Sequence, residues 1–342
     1  MNEHTSPAFW PARGSLHEGR AFVLKEDVIF TVLAQEGGIS WMNGRHPQSG
    51  GSFIIATAVS DEEEERATRL LKNEFALRDR LHDGWAIRPV ASTQYRGRFA
   101  LVYAPFCFEL LACRAGKAIS GIARFIEMAI RISGPLRQMH QHNLIHGDIK
   151  PGSIFVHHDA TCRLCSFGLS CGTSDAFSQS RLAASGGTPA YMSPEHTTRT
   201  RRAVDSRSDL YSLGIVLYEL LTGRLPFELS ADDQTNWAHY HIASEPLAPG
   251  RVRPDVPGML STIILKLLEK NPENRYQTVD GLIADLRRCQ ATLTVEGEIV
   301  DFIPGQQDRS PAIHLAESLF SAHPQASDVI AAYERVSQSG AP

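Results

Sequence analysis

The stretch His146-Gly147-Asp148-Ile149-Lys150-Pro151-Gly152-Ser153 sets a carboxylate and an amine two residues apart, with a histidine before them and a serine after. Ser166-Phe167-Gly168 begins eighteen residues after Asp148. A carboxylate so placed can take up a proton or cap loop amides, and an ammonium can face an anion. The neutral hydroxyls of Ser153 and Ser166 are poor partners for a hard dication, which prefers charged oxygen ligands. A second candidate is the C-x-x-C of Cys162 and Cys165, with His157, His158 and Cys171 nearby. On an extended strand those two thiols face opposite sides, so they are expected to pack rather than to bind metal or cycle redox state.

The first stretch resembles the catalytic loop and metal-binding turn of the protein kinases, which run H-R-D, then Asn five residues after the Asp, then D-F-G. The resemblance implies that Asp148 is the base for a substrate hydroxyl and that Lys150 faces the transferring phosphate. Both metal positions are serine, Ser153 for the Asn and Ser166 for the Asp, so magnesium is not expected to be held. Gly147 replaces the arginine that receives an activation-loop phosphate, and that switch is not expected. Gly187-Thr188-Pro189-Ala190-Tyr191-Met192-Ser193-Pro194-Glu195 resembles the end of a serine/threonine kinase activation segment. Thr188 together with Lys150 matches the serine/threonine branch. The same resemblance gives structural roles to His146, to Asp209 as anchor of the catalytic-loop backbone, and to Arg275 as the partner of Glu195.

Upstream, the elements that must position these residues read as strands. Val28 to Leu33 is β-branched and aromatic, Gly37-Gly38 marks a turn, Ile39 to Met42 a second strand, and Phe53 to Val59 a third. In a kinase the turn would be the glycine-rich loop, here degraded to Glu36-Gly37-Gly38-Ile39-Ser40. The third strand would carry V-A-I-K, and Phe53-Ile54-Ile55-Ala56 puts Ala56 at the lysine position. Ser60 with Glu63 reads as a capping box for a helix running to about Leu81. Glu74 falls where the lysine's glutamate partner belongs; with the lysine gone, a solvated helix carboxylate is the simpler expectation. Phe99 to Tyr103 reads as the buried strand into a hinge at Ala104-Pro105-Phe106. ATP is the implied nucleotide, through Gly37 and Gly38 and the hinge backbone near Val102 and Ala104. Further on, Ile119 to Gln141 is helical but interrupted by Gly134-Pro135, Asp209 to Gly223 is an apolar helix ending on glycine, and Val279 to Arg288 is the last helix.

The implied fold is α+β and two-lobed: a small β-rich lobe with one long helix over about 21–103, and a large, mainly helical lobe over about 104–292. Residues 1–20 read as a tail. Residues 293–342 read as a linker, in which Phe302 to Asp308 and Ile330 to Val336 resemble the approach to a P-loop ATPase. The large lobe resembles the kinase-like domain that begins large bacterial signalling proteins, which continue into such an ATPase and often a sensor histidine kinase. No G-x-x-x-x-G-K-[ST] follows, so no ATPase activity is expected and a truncation or relic is inferred, with association to ATPase or histidine kinase modules as the implied context.

With 342 residues, 42% hydrophobic and 21% charged, the chain can bury a full core. A net charge of −4 with no dense basic run argues against a nucleic-acid partner. The apolar runs, such as Ile215 to Leu221, are too short to span a membrane, and six irregularly spaced cysteines read as reduced thiols of a cytoplasmic protein. Two functional readings stand: a pseudokinase, impaired in phosphoryl transfer and acting on a protein partner as a regulatory or scaffolding module, or an active ATP-dependent serine/threonine kinase. Nucleotide binding without catalysis is a third.

Overall fold

Strands β1 (Ile29–Glu36), β2 (Ile39–Arg45) and β3 (Ser52–Ala58) form an antiparallel meander, joined by β4 (Ala91–Tyr95) and β5 (Arg98–Tyr103) in the order β1-β2-β3-β5-β4. The computed structural model describes residues 28–47, 51–106, 108–114, 116–173, 187–197, 202–227 and 236–308. The expected tail at 1–20, residues 174–186 ahead of the Gly187 to Glu195 element, and the segment at 330–336 lie outside the described residues. Gly37 and Gly38 join β1 to β2 with φ of +59° and +80°, left-handed values that glycine adopts without strain.

The two-residue period of a strand divides this sheet's side chains cleanly. Trp41, Ile54, Ala56, Leu101 and Tyr103 form one buried cluster, while Met42, Phe53, Ile55, Ala91 and Val102 form another on the opposite face. Helix α1 (Glu64–Leu77) lays Ala67 and Leu71 on the first face. The expected cap at Ser60 is not used. Residues 60–63 turn the chain out of the sheet, with the Glu64 amide donating to the Asp61 carbonyl at 3.2 Å, and Glu63 takes the cap position without a side-chain bond. At its other end the helix tightens into a 3₁₀ turn at Arg78–Arg80, so Leu81 is buried beyond it.

The large lobe is helical. Helix α2 (Ile122–Gln141) continues through Pro135 as one element. Helix α3 (Ser206–Thr222) is buried along every residue from Ser208 to Leu221; it starts on an Asp205–Ser208 capping box and ends on Gly223 at φ +80°. Around it lie α4 (Trp237–Ala243), α5 (Pro249–Val252), α6 (Gly258–Leu267) and α7 (Val279–Glu296). Among strands, β6 (Phe108–Leu110), β8 (Ile154–His157) and β9 (Cys162–Leu164) form a small sheet, and β7 (Leu144–Ile145) pairs with β10 (Cys171–Gly172). Cys162 enters the large-lobe core and Cys165 the small-lobe cluster, so the two thiols of the C-x-x-C diverge into different cores. No helix among the described residues is long and apolar enough to cross a membrane.

Past α7 the chain folds back. Phe302 lies under the Arg288 guanidinium at 4.3 Å. The Asp308 carboxylate accepts from the amides of Gln277 and Thr278 and from the Thr278 hydroxyl at 2.7 Å. The fit is close: a Cβ on Gly281 would lie 2.4 Å from the Asp308 Cβ. Residues 297–308 are therefore bound into the large lobe. Because Asp308 satisfies donors at the start of α7, Asp308→Ala is expected to lower unfolding stability by about 1–2 kcal/mol, with Asp308→Asn losing less, as read by urea denaturation.

Candidate functional site

The segment after β7 is fixed by one carboxylate. Asp209, on the buried helix α3, accepts from the backbone amides of His146 at 2.8 Å and Gly147 at 2.9 Å, and its Oδ2 also meets His140 Nε2 at 2.9 Å. Gly147 has φ +79°, which lets the chain present two successive amides to one acceptor. The His146 ring is fully buried. Its Nδ1 accepts from the Asp148 amide at 3.2 Å and its Nε2 lies 3.0 Å from the Cys165 carbonyl, a pattern satisfied by the neutral Nε2–H tautomer. Burial lowers its pKa in the same direction, against the charges of Asp209 and Asp148.

Asp148 and Lys150 come together as an ion pair at 2.9 Å. The Asp148 Oδ1 accepts from the Thr188 amide at 2.9 Å, and Lys150 Nζ donates to the Thr188 hydroxyl at 2.7 Å. Burial would raise the Asp148 carboxyl, but the Lys150 charge and the two hydrogen bonds outweigh it and hold it below the usual carboxylate range. Lys150 is shifted upward in turn: burial opposes its charge, and Asp148 and Glu36 more than compensate. The third neighbour is thus Glu36 at the end of β1, with Oε1 3.6 Å from Lys150 Nζ.

The positions that handle metal and phosphate in the resembling family serve other purposes here. Ser153 is fully buried; its hydroxyl accepts from the Lys150 amide at 3.0 Å and donates to the Lys150 carbonyl at 2.9 Å, closing the loop on itself. Ser166, left-handed at φ 64°, makes a 3.6 Å contact with Cys165 Sγ. Among the described residues no group of three His, Cys, Asp or Glu side chains could hold a metal ion. The donor set does not fit magnesium, since the Asp148 oxygens are engaged by Lys150 and Thr188 and both serines are neutral. Ala56 is fully buried in the apolar cluster with Trp41 and Tyr103.

Glu74 overturns the solvated expectation. It is 1% exposed and accepts from the Tyr103 hydroxyl at 2.9 Å and from the Phe167 amide. Tyr103 thereby makes the link from sheet to helix that a lysine at position 56 would make. Burial pushes the Glu74 carboxyl up to about 7, offset only in part by those two donors. The same helix is joined to the turn after Phe167: Asn73 donates to the carbonyls of Gly168 at 2.9 Å and Ser170 at 3.2 Å, and a Cβ on Gly168 would lie 2.7 Å from the Leu70 Cβ.

Of the expected nucleotide contacts, Gly37 lines the cleft beside Glu36, Trp41, Asp148 and Lys150. Gly38 lies beside it, packed on Glu63. Val102 does not reach the cleft. It sits between β3 and β4, its carbonyl accepts from the Val90 amide at 2.8 Å, and its side chain is on the far face of the sheet. Ala104 is exposed just beyond the end of β5. The pocket lined by Glu36, Gly37, Trp41, Asp148 and Lys150 has a cavity of ≈ 40 Å³.

On the substrate side, Arg275 forms a bidentate pair with Glu195 at 2.6 and 2.9 Å, both buried, and Ser208 donates to Glu195 at 2.7 Å. Burial alone would raise the Glu195 carboxyl; Arg275 holds it at about 2. Tyr103 and Glu36 are the two residues that sequence reasoning passes over. The strand period gives a signal for Tyr103, since Leu101 and Tyr103 must share a face; for Glu36 there is none beyond its place beside the glycine turn.

A carboxyl raised from 4.5 to about 7 by folding binds its proton more tightly in the native state. Its stabilising contribution is complete below pH 4.5 and is lost as pH rises through 7, by roughly 3 kcal/mol. Glu74→Gln is expected to flatten that segment of the stability–pH curve, as measured by denaturant unfolding between pH 4.5 and 8.

The family model for the protein kinase domain matches residues 61–285. The chain is 40% identical over 166 residues to the serine/threonine-protein kinase PknB of Mycolicibacterium smegmatis, covering 48% of this chain and 26% of that protein. It is 39% identical over 166 residues to PknB of Mycobacterium tuberculosis, again 48% and 26%. A probable serine/threonine-protein kinase of Streptomyces coelicolor is 36% identical over 167 residues, 48% of this chain and 24% of that protein. The aligned part is about a quarter of the length of these curated relatives. In keeping with its β-sheet small lobe, its helical large lobe and the bonds of Asp209, Glu195 and Arg275, the chain belongs to the protein kinase domain family and is similar to bacterial serine/threonine-protein kinases.

Proposed function

We propose that this domain is a pseudokinase: a serine/threonine kinase fold impaired in phosphoryl transfer that acts on a protein partner as a regulatory or scaffolding module. The observation that carries this reading is the use made of the three substituted positions. The Ala56 methyl is buried in an apolar cluster, the Ser153 hydroxyl closes its own loop, and Ser166 offers one neutral oxygen. Removing one preorganised electrostatic donor typically costs about 3–4 kcal/mol of transition-state stabilisation. Such losses within one site do not add, but even a part of the total makes turnover negligible. The partner belongs to a cytoplasmic signalling assembly, with ATPase or histidine kinase modules as the context implied by the sequence resemblance.

A second reading, an active kinase, is favoured by one observation: Asp148, Lys150 and Thr188 remain in a connected network beside the cleft. In it Asp148 accepts the substrate hydroxyl proton and Lys150 faces the transferring phosphate. The two readings separate in one assay, incubation with labelled ATP, magnesium and a generic acceptor protein. The expected result is incorporation by the wild type no higher than by Asp148→Asn. Incorporation that depends on Asp148 would establish the second reading instead.

A further inference from the structure

Glu36 ends β1, and its half-buried side chain turns toward the cleft, where it lines the pocket with Asp148 and Lys150. Its Oε1 lies 3.6 Å from Lys150 Nζ. The carboxylate rests directly on the backbone of Gly152, where a Cβ would stand 1.4 Å from Oε2. The turn that carries it is held from the other side. Arg66 donates to the Gly37 carbonyl at 3.3 Å, the Val59 amide donates to the Gly38 carbonyl at 2.9 Å, and a Cβ on Gly38 would meet Glu63 at 2.5 Å. Three successive residues of the turn are thus fixed to α1, β3 and the segment after β7.

Beside this carboxylate the space under the sheet is filled by rings. Trp41 lies 4.9 Å from Tyr103 and 5.8 Å edge-on from Phe155, and Phe106 lies 4.9 Å from Phe155. The pocket beside Glu36, lined also by Trp41, Asp148 and Lys150, has a cavity of ≈ 40 Å³, whereas pockets for small organic ligands run to about 300 Å³ or more.

We propose that Glu36 is an intramolecular substitute for a phosphate, the resident anionic ligand of Lys150, which closes the cleft and excludes nucleotide by charge and by volume. The proposal rests on the reading of the domain as impaired, and specifies what keeps its site shut. Glu36 and Asp148 flank Lys150 as two carboxylates on one ammonium. A triphosphate entering the cleft would add further negative charge at short range, where repulsion is only partly screened.

The test titrates the full chain with ATP and, separately, inorganic tripolyphosphate, each with and without magnesium, by isothermal calorimetry. Wild type is expected to show no binding at millimolar ligand. Glu36→Ala removes both the charge and the bulk, and is expected to bind tripolyphosphate at least about tenfold tighter than wild type. Glu36→Gln, which removes the charge and keeps the bulk, is expected to gain less. Adding Lys150→Met to Glu36→Ala should cancel the gain, which a merely structural role for Glu36 would not predict; circular dichroism confirms that each variant is folded. Wild type binding either ligand as tightly as Glu36→Ala would overturn the proposal. So would failure of folded Glu36→Ala to bind, or a gain that survives Lys150→Met. The phosphotransfer assay stays independent: Asp148-dependent transfer overturns the impaired reading, whereas wild-type binding as tight as that of Glu36→Ala, without transfer, overturns only the role of Glu36.

Discussion

The Asp209 carboxylate sets the geometry of the cleft. It sits on a helix buried along its whole inner length, so it cannot shift without moving the large-lobe core. Charge-assisted bonds from two successive amides to one carboxylate are strong and directional, and they place the chain at His146 and Gly147 within narrow limits. Burial would raise the Asp209 carboxyl, and His140 together with the His146 amide holds it down, so it stays charged and keeps its grip. The attitude of Asp148 follows from this anchor, and so does the loop that Ser153 closes. Glu195 and Arg275 hold the opposite wall by the same logic: two buried charges matched atom for atom, with Ser208 on the carboxylate and backbone carbonyls on the guanidinium.

The small lobe meets the same physical problem differently. A buried carboxylate on α1 needs a donor, and the sheet provides a phenol instead of an ammonium. A neutral donor satisfies the hydrogen bond without neutralising the charge. Glu74 accordingly titrates near neutrality while Glu195 stays ionised far into acid. The face of β3 and β5 that carries Ala56 and Tyr103 is packed with apolar and aromatic side chains.

How much of this is legible in the sequence follows from how local each interaction is. The frame around Asp148, the Ser-Pro-Glu element, the Asp209 helix and the Arg275 turn can be read from residue types alone, because backbone geometry ties each role to its own segment. The end of α3 at Gly223 is similarly local, a left-handed residue closing a helix. The start of α1 is not: Ser60 has the right composition for a cap, but the path out of β3 uses those residues as a turn. Glu74 looks solvated by sequence because the lysine expected to pair with it is absent, and its two donors are remote, the Tyr103 hydroxyl on β5 and the Phe167 amide in the large lobe. Val102 is legible as a buried strand residue, yet only the pairing of β5 with both β3 and β4 shows that its backbone is already engaged. Glu36 is the extreme case, since its contacts with Lys150 and Gly152 join residues more than a hundred positions apart.

The seam between α1 and the turn after Phe167 has a mechanical consequence. Asn73 bridges two carbonyls across it, Leu70 leaves no room beside Gly168, and the Phe167 amide reaches Glu74. These bonds run from the helix of the small lobe to backbone of the large one, and none of them involves a diffusible ligand. The set of α1 against the turn after Phe167 is therefore fixed by the chain's own side chains, and rotating the helix away would break the Asn73 bonds and strip the Glu74 carboxylate of a donor.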